Sequence, residues 1–322
     1  MDLNWMQRYA ATELAERSDT GMMDRREALT RLGRIFGSST AAAAFLAACS
    51  SGGSNEQSIR RPKPSSSTRA PVSPPTVGGA GHLLAVPADD PAIAAKDVQF
   101  DGPASEMFGY LAVPTAPGRY PGIIVIHEIF GINDHIRDVA RRLAKVGYVA
   151  IAPDLVSRAG GTERAPDVIA ALISGPLQDR VADLNATGNY LDTVDAFNGR
   201  LGVTGFCFGG GMTLAFAAAQ PKVVAAVSYY GPTPEPASMM RATNAAVLAQ
   251  YGADDARVNA GIPALTAAMT GKTFETRIWP GVGHQFNNDT SPAYDEAVAV
   301  DAWTAALRWF DRYLRPPGAS LR

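Results

Sequence analysis

The stretch Gly205-Phe206-Cys207-Phe208-Gly209-Gly210 most narrows the folds open to this chain. Residues 200–204 before it read as a buried strand, and residues 212–219 after it read as a helix stopped by Pro221. A reactive side chain held in a tight turn between strand and helix needs small neighbours, because the two backbones must approach closely. The pattern is G-x-nucleophile-x-G with cysteine where serine is usual. A sulfur at a helix N-terminus meets the dipole and free N–H groups that favour a thiolate. Taken alone, the stretch also fits a buried structural cysteine beside a glycine-rich turn.

Two later turns complete a pattern. The strand-like residues 246–251 lead into Gly252-Ala253-Asp254-Asp255-Ala256-Arg257-Val258, and a G-x-x-D-x-x-V reading of that turn selects Asp255 over Asp254. A further strand, 274–280, leads into Gly281-Val282-Gly283-His284-Gln285-Phe286. The four histidines stand at 82, 127, 135 and 284, and only His284 follows both other candidates. Nucleophile, acid and histidine in that order, each on a loop after a strand, is the arrangement of the α/β-hydrolase fold.

The rest of the domain, residues 82–316, alternates strands with helices, which implies an α/β fold with a mainly parallel sheet covered on both faces. Residues 107–113 alternate as an early antiparallel strand. Residues 122–126, 148–152, 223–229, 247–251 and 274–278 are further strands. Helical spacing runs over 136–146, with Arg137, Arg141 and Arg142 expected on the wet face, and over 179–197. A C-terminal helix spans 297–314, with Trp303, Leu307 and Phe310 spaced to dock on the core. A tail, 317–322, follows. Hydrophobic residues make up 46% and charged ones 19%, which suits a substantial core. A net charge of −2 leaves no basic footprint for nucleic acid. The histidines are scattered, no Cys/His pair has ligand spacing, and no glycine-rich phosphate loop precedes a helix with a lysine, so neither metal nor cofactor is expected.

From 83 to 314 the chain resembles the dienelactone hydrolase (carboxymethylenebutenolidase) family. The matching pieces are His127-Glu128-Ile129-Phe130-Gly131, the cysteine elbow, the acid turn and the Gly283-His284-Gln285-Phe286 turn. The resemblance implies a Cys207–His284–Asp255 triad acting on a small ester or lactone through an acyl-thioester. It implies an oxyanion hole from the backbone N–H groups of Phe208 and Ile129, and a Glu128 that contacts the resting thiol. Family members hold a substrate carboxylate with arginines, one shortly after the histidine; residues 285–290 contain none. Arg158 and Arg164 could supply another clamp or be solvated loop residues. A thioesterase or acyltransferase using the same acyl-cysteine, and a lipid-anchored binding protein without turnover, are the competing functions.

The first hundred residues differ in character. Arg25-Arg26 precedes a mildly apolar run over 35–48, too short for an ordinary membrane span. The run ends Leu46-Ala47-Ala48-Cys49 before Ser50-Ser51-Gly52-Gly53, which resembles a bacterial lipobox. Residues 1–49 therefore read as a twin-arginine lipoprotein signal, with Cys49 lipidated and the protein held in the periplasm or on the outer face of the cell membrane. The alternative is an amphipathic helix in a cytosolic extension. Residues 50–81, rich in Ser, Pro and Gly, read as a flexible tether. Cys207 would then be the only free thiol of the mature domain; a Cys49–Cys207 disulfide would block the nucleophile.

Overall fold

The computed structural model describes residues 3–51 and 84–315. Most of the expected tether and the tail at 317–322 lie outside the described residues.

Three helices come first: α1 (Trp5–Asp19), α2 (Arg25–Phe36) and α3 (Ser39–Ser51). Asn4 starts α1 with a reciprocal cap: its side chain accepts from the Gln7 N–H, and the Gln7 side chain accepts from the Asn4 N–H. Asp24 caps α2, which stops at Gly37 in the left-handed region (φ 65°). No single described helix is long and apolar enough to cross a membrane; α2 and most of α3 together are bent by 119°. The three pack on one another, and α1 also reaches the domain that follows.

That domain runs β1 (Ile93–Asp101), β2 (Glu106–Pro114), β3 (Tyr120–Ile126), α4 (Asp134–Lys145), β4 (Val149–Pro153), α5 (Val168–Ile173), α6 (Leu177–Leu191), β5 (Phe197–Phe206), α7 (Phe208–Ala219), β6 (Val223–Tyr229), β7 (Ala246–Gly252), α8 (Ala256–Asn259), α9 (Ile262–Ala268), β8 (Phe274–Trp279) and α10 (Glu296–Leu314). The eight strands form one sheet in the order β1-β2-β4-β3-β5-β6-β7-β8. The β1–β2 and β2–β4 pairs are antiparallel; β4, β3, β5, β6, β7 and β8 pair in parallel. This is the α/β-hydrolase architecture expected from the alternation.

The central strands are unbroken apolar runs because both their faces are covered. Helix α7 is almost wholly buried, so its residues show no polar face. Phe206 stacks on Tyr229 with ring centroids 4.7 Å apart. Helix α10 docks through Trp303, Trp309 and Phe310, with Leu307 half-buried beside them.

Two expectations need correction. Helix α6 stops at Leu191, and Phe197 already belongs to β5, paired with Tyr120 of β3. On α4, Arg142 is not on the wet face: it is 3% exposed and ion-paired to Asp138 and Asp289. Two carboxylates within reach let the guanidinium leave water.

The chain leaves β3 toward β4 and then crosses back to β5 on the other side. The loops after β3 and β5 therefore meet at a topological switch point, where this class of sheet forms its crevice.

Candidate active site

Cys207 sits between β5 and α7 at φ 57°, ψ −122°, a conformation that side-chain-bearing residues rarely adopt. Its N–H is held by the Tyr229 carbonyl at 3.0 Å. The flanking glycines make the turn possible. A Cβ on Gly205 would lie 2.2 Å from the Gly209 carbonyl oxygen, and one on Gly209 would lie 2.3 Å from the Ile126 carbonyl oxygen. The small residues thus allow the elbow to press against its own helix and the end of β3.

Asp255 caps α8, with Oδ1 accepting from the Val258 N–H at 3.2 Å. Its Oδ2 faces Nδ1 of His284 at 2.5 Å. Asp254 is exposed, so geometry selects Asp255. Gly252 lets the two loops close: a Cβ there would meet the Gly283 carbonyl oxygen at 2.4 Å. The Cys207 sulfur, a ring nitrogen of His284 and a carboxylate oxygen of Glu13 lie within 4.8 Å of one another. Fold and spacing thus bring Cys207, Asp255 and His284 together. Among the described residues, the N–H groups of Ile129 and Phe208 make no hydrogen bond, as donors kept for an incoming oxyanion would be.

Glu128 is buried, and its carboxylate accepts from Asn288 Nδ2 at 2.7 Å and from Gln285 Nε2 at 3.4 Å. Burial pushes its pKa up. The hydroxyl of Tyr9 lies 3.0 Å from Cys207 Sγ. Leu155 N–H donates to His127 Nε2 at 3.1 Å, so Nδ1 carries the proton and donates to the Glu128 carbonyl at 2.6 Å. His127 therefore pins the loop after β3. Asp289 accepts from His135 Nδ1 at 2.9 Å and pairs with Arg142, which anchors the segment after His284 to α4. Arg158 is engaged bidentately by Asp183 at 3.0 and 2.9 Å. Arg164 is exposed on a separate cavity of about 440 Å³ lined by Phe108, Ile132 and Asp154.

Sequence reasoning missed the residues of α1 that stand over this site. Tyr9 lies 3.3 Å from His284 Nε2 as well as against the sulfur. Glu13 is buried, 2.5 Å from Arg257 and 3.7 Å from His284 Nε2. Trp5 stacks over Phe208 with centroids 6.4 Å apart. The only available hint was the capped start at Asn4 followed by Trp5, Tyr9 and Glu13 at intervals of four, one stripe of a helix.

These neighbours set the charges. Burial pushes the Cys207 thiol up and Glu13 adds to the effect, while His284 pulls it down in part. Burial alone would lower His284, but Glu13, Cys207 and Asp255 together hold it well above the ordinary histidine value. Burial would raise Asp255 and Glu13; the His284 pairing, with Arg257, reverses this and holds both below the usual carboxylate range. Glu13, Cys207 and His284 also form a donor set for a metal ion that sequence spacing could not reveal. The Arg257 guanidinium on Glu13 opposes a cation there.

The dienelactone hydrolase family profile matches residues 107–314. A Salmonella typhimurium protein named "Putative carboxymethylenebutenolidase" is 36% identical over 242 residues, spanning 70% of this chain and 89% of that relative. The crystal structure of a "Putative Dienelactone Hydrolase" from Klebsiella pneumoniae shares 36% identity at a TM-score of 0.65, covering 69% of this chain and 100% of that one. A dienelactone hydrolase-like promiscuous phosphotriesterase from metagenomic libraries follows at 27% identity and a TM-score of 0.62, covering 69% and 99%. On sequence and structure together, the chain belongs to the dienelactone hydrolase family.

Proposed function

We propose that this hydrolase cleaves a small carboxylic ester or lactone through Cys207, His284 and Asp255, by way of an acyl-thioester. The observation that carries this reading is the 2.5 Å Asp255–His284 contact aligned with a cysteine held at positive φ on a nucleophile elbow. His284 Nε2 takes the thiol proton as Cys207 Sγ adds to the carbonyl carbon. The developing oxyanion is met by the N–H groups of Ile129 and Phe208. The C–O bond then breaks, and the leaving alkoxide takes the proton from His284. Water, deprotonated by the same nitrogen, attacks the thioester, releases the acid and restores the thiol. Asp255 fixes Nδ1–H and stabilises the imidazolium. Glu128 lies close enough to raise the thiol electrostatically, so its place in the cycle is to tune Cys207.

Intact mass spectrometry with a panel of activated esters and lactones tests this. A transient acyl adduct on Cys207, absent from Cys207→Ala, is expected. Full hydrolysis by the alanine variant would sink the assignment.

The proposal extends to the N-terminus: export by the twin-arginine route, cleavage before Cys49, and a lipid on that cysteine. Arg25 and Arg26 are exposed at the start of α2, and Cys49 is a free thiol close to the end of α3. The mass of detergent-extracted protein should show a diacylglyceryl-modified N-terminal cysteine. An unprocessed chain in the soluble fraction would refute both processing and anchoring.

A further inference from the structure

We infer that α1 is an intramolecular inhibitor, seated where the substrate must lie over Cys207. This rests on reading Cys207 as the nucleophile, and it adds that the full chain is a closed form of the enzyme.

One stripe of α1 covers the site in four successive turns. Trp5 stacks on Phe208, whose N–H is an oxyanion donor. Tyr9 puts its hydroxyl 3.0 Å from Cys207 Sγ and 3.3 Å from His284 Nε2, in the space a carbonyl and its leaving group would need. Glu13 places a carboxylate between His284 and Arg257. Arg17 lies over the Phe130 ring at 4.5 Å and donates to Gln285 Oε1 at 3.3 Å, so it touches the residue after Ile129 and the residue after His284. Beneath them Cys207 is 0% exposed.

The seat is built, not incidental. Glu13 and Glu16 both pair with Arg257, at 2.5 and 2.7 Å. Arg8 pairs with Glu235, and Arg34 of α2 pairs with Asp167 at the start of α5. Helix α1 also packs on α2 and α3, and its Met6, Ala10 and Leu14 are buried.

Charge reinforces the block. Glu13 sets a second carboxylate beside His284, across from Asp255, and both raise the imidazole, while burial raises the thiol. Undocking α1 removes Glu13 and admits water to the sulfur. Cleavage before Cys49, as proposed above, would remove α1, α2 and most of α3 together, so the processed enzyme would be the open one.

The apparent reactivity of a site open only part of the time falls in proportion to the open fraction. The test uses the full chain with Cys49→Ser, which leaves Cys207 as the single thiol. Iodoacetamide labelling of Cys207 and hydrolysis of p-nitrophenyl acetate are compared among this parent, Trp5→Ala and Glu13→Arg. The arginine sets a like charge against Arg257, and the alanine removes the ring over Phe208. Thermal melts check that each variant keeps its cooperative transition. Labelling at least tenfold faster than the parent in either folded variant is expected. Fast labelling without hydrolysis would uphold the plug and remove the ester-hydrolase reading. Labelling of the folded parent as fast as that of the urea-unfolded chain would overturn the plug without need of any variant. Unchanged or slower labelling in both folded variants would overturn it too.

Discussion

At the scale of single residues, Cys207 shows how this site stores strain. A non-glycine residue at positive φ costs about 1–3 kcal/mol and persists only where its surroundings over-determine it. Here the hydrogen bond to Tyr229 and the contact glycines do so. Gly205→Ala and Gly209→Ala each drive a Cβ into backbone oxygen, so each should destabilise by about 3 kcal/mol, the upper end for overpacking, in chemical denaturation. Cys207→Ser should keep the fold and lose most of its activity, because a hydroxyl needs stronger base activation than a thiol. Turnover equal to the parent would mean that the site works as an ordinary serine esterase. Glu13→Gln removes the charge that holds His284 up, so the His284 titration followed by NMR should move to lower pH. The signs of linkage follow. His284, raised on folding, contributes stability fully present below about pH 6.5 and lost as pH rises through its elevated value. Glu13, lowered on folding, contributes stability present above its unfolded value of 4.5 and lost as pH falls through its depressed value. Docking of α1 should therefore be tightest between these limits, with Cys207 labelling accelerating on both sides once thiol ionisation is allowed for.

Among elements, α4 does more than cover the sheet. Its Arg142 bridges Asp138 and Asp289, and its His135 holds Asp289 as well, so the helix fixes the segment that follows His284. Arg142→Leu would leave Asp138 with Arg141 and Asp289 with His135 as their remaining partners, and should cost about 3 kcal/mol, the lower end for breaking a buried pair, read by urea denaturation. Asp289 is held far below the usual carboxylate range; burial would raise it, but His135 and Arg142 prevail. Its contribution is present above 3.8 and lost as pH falls further, so the wild type and the leucine variant should converge in stability at strongly acid pH. The antiparallel β2 was legible in sequence from its alternation, and the parallel strands from their continuous apolar runs. Strand β1 was not: Ile93-Ala94-Ala95-Lys96-Asp97 shows no apolar–polar alternation, and its strand character comes from full-length pairing with β2. Arg142 was misplaced for a related reason, since helical spacing ranks faces by polarity and cannot foresee a carboxylate arriving from 147 residues away.

For the whole molecule, the switch in strand order gathers the loops after β3, β5, β7 and β8 into one crevice, and α1 closes it. The elbow, the acid turn and the histidine turn were readable one by one because each is a local strand–loop unit whose glycines mark close approaches. Their order along the chain then specified the architecture. What the sequence determined by itself was this parallel sheet, its nucleophile turn and the partners that follow. Only the tertiary structure decided what α1 covers. Its stripe of Trp5, Tyr9, Glu13 and Arg17 announces a helix face that must be buried, yet names no surface to bury it. Tyr9 meets Cys207 across 198 residues, a pairing settled by shape and charge that exist only once the sheet has formed.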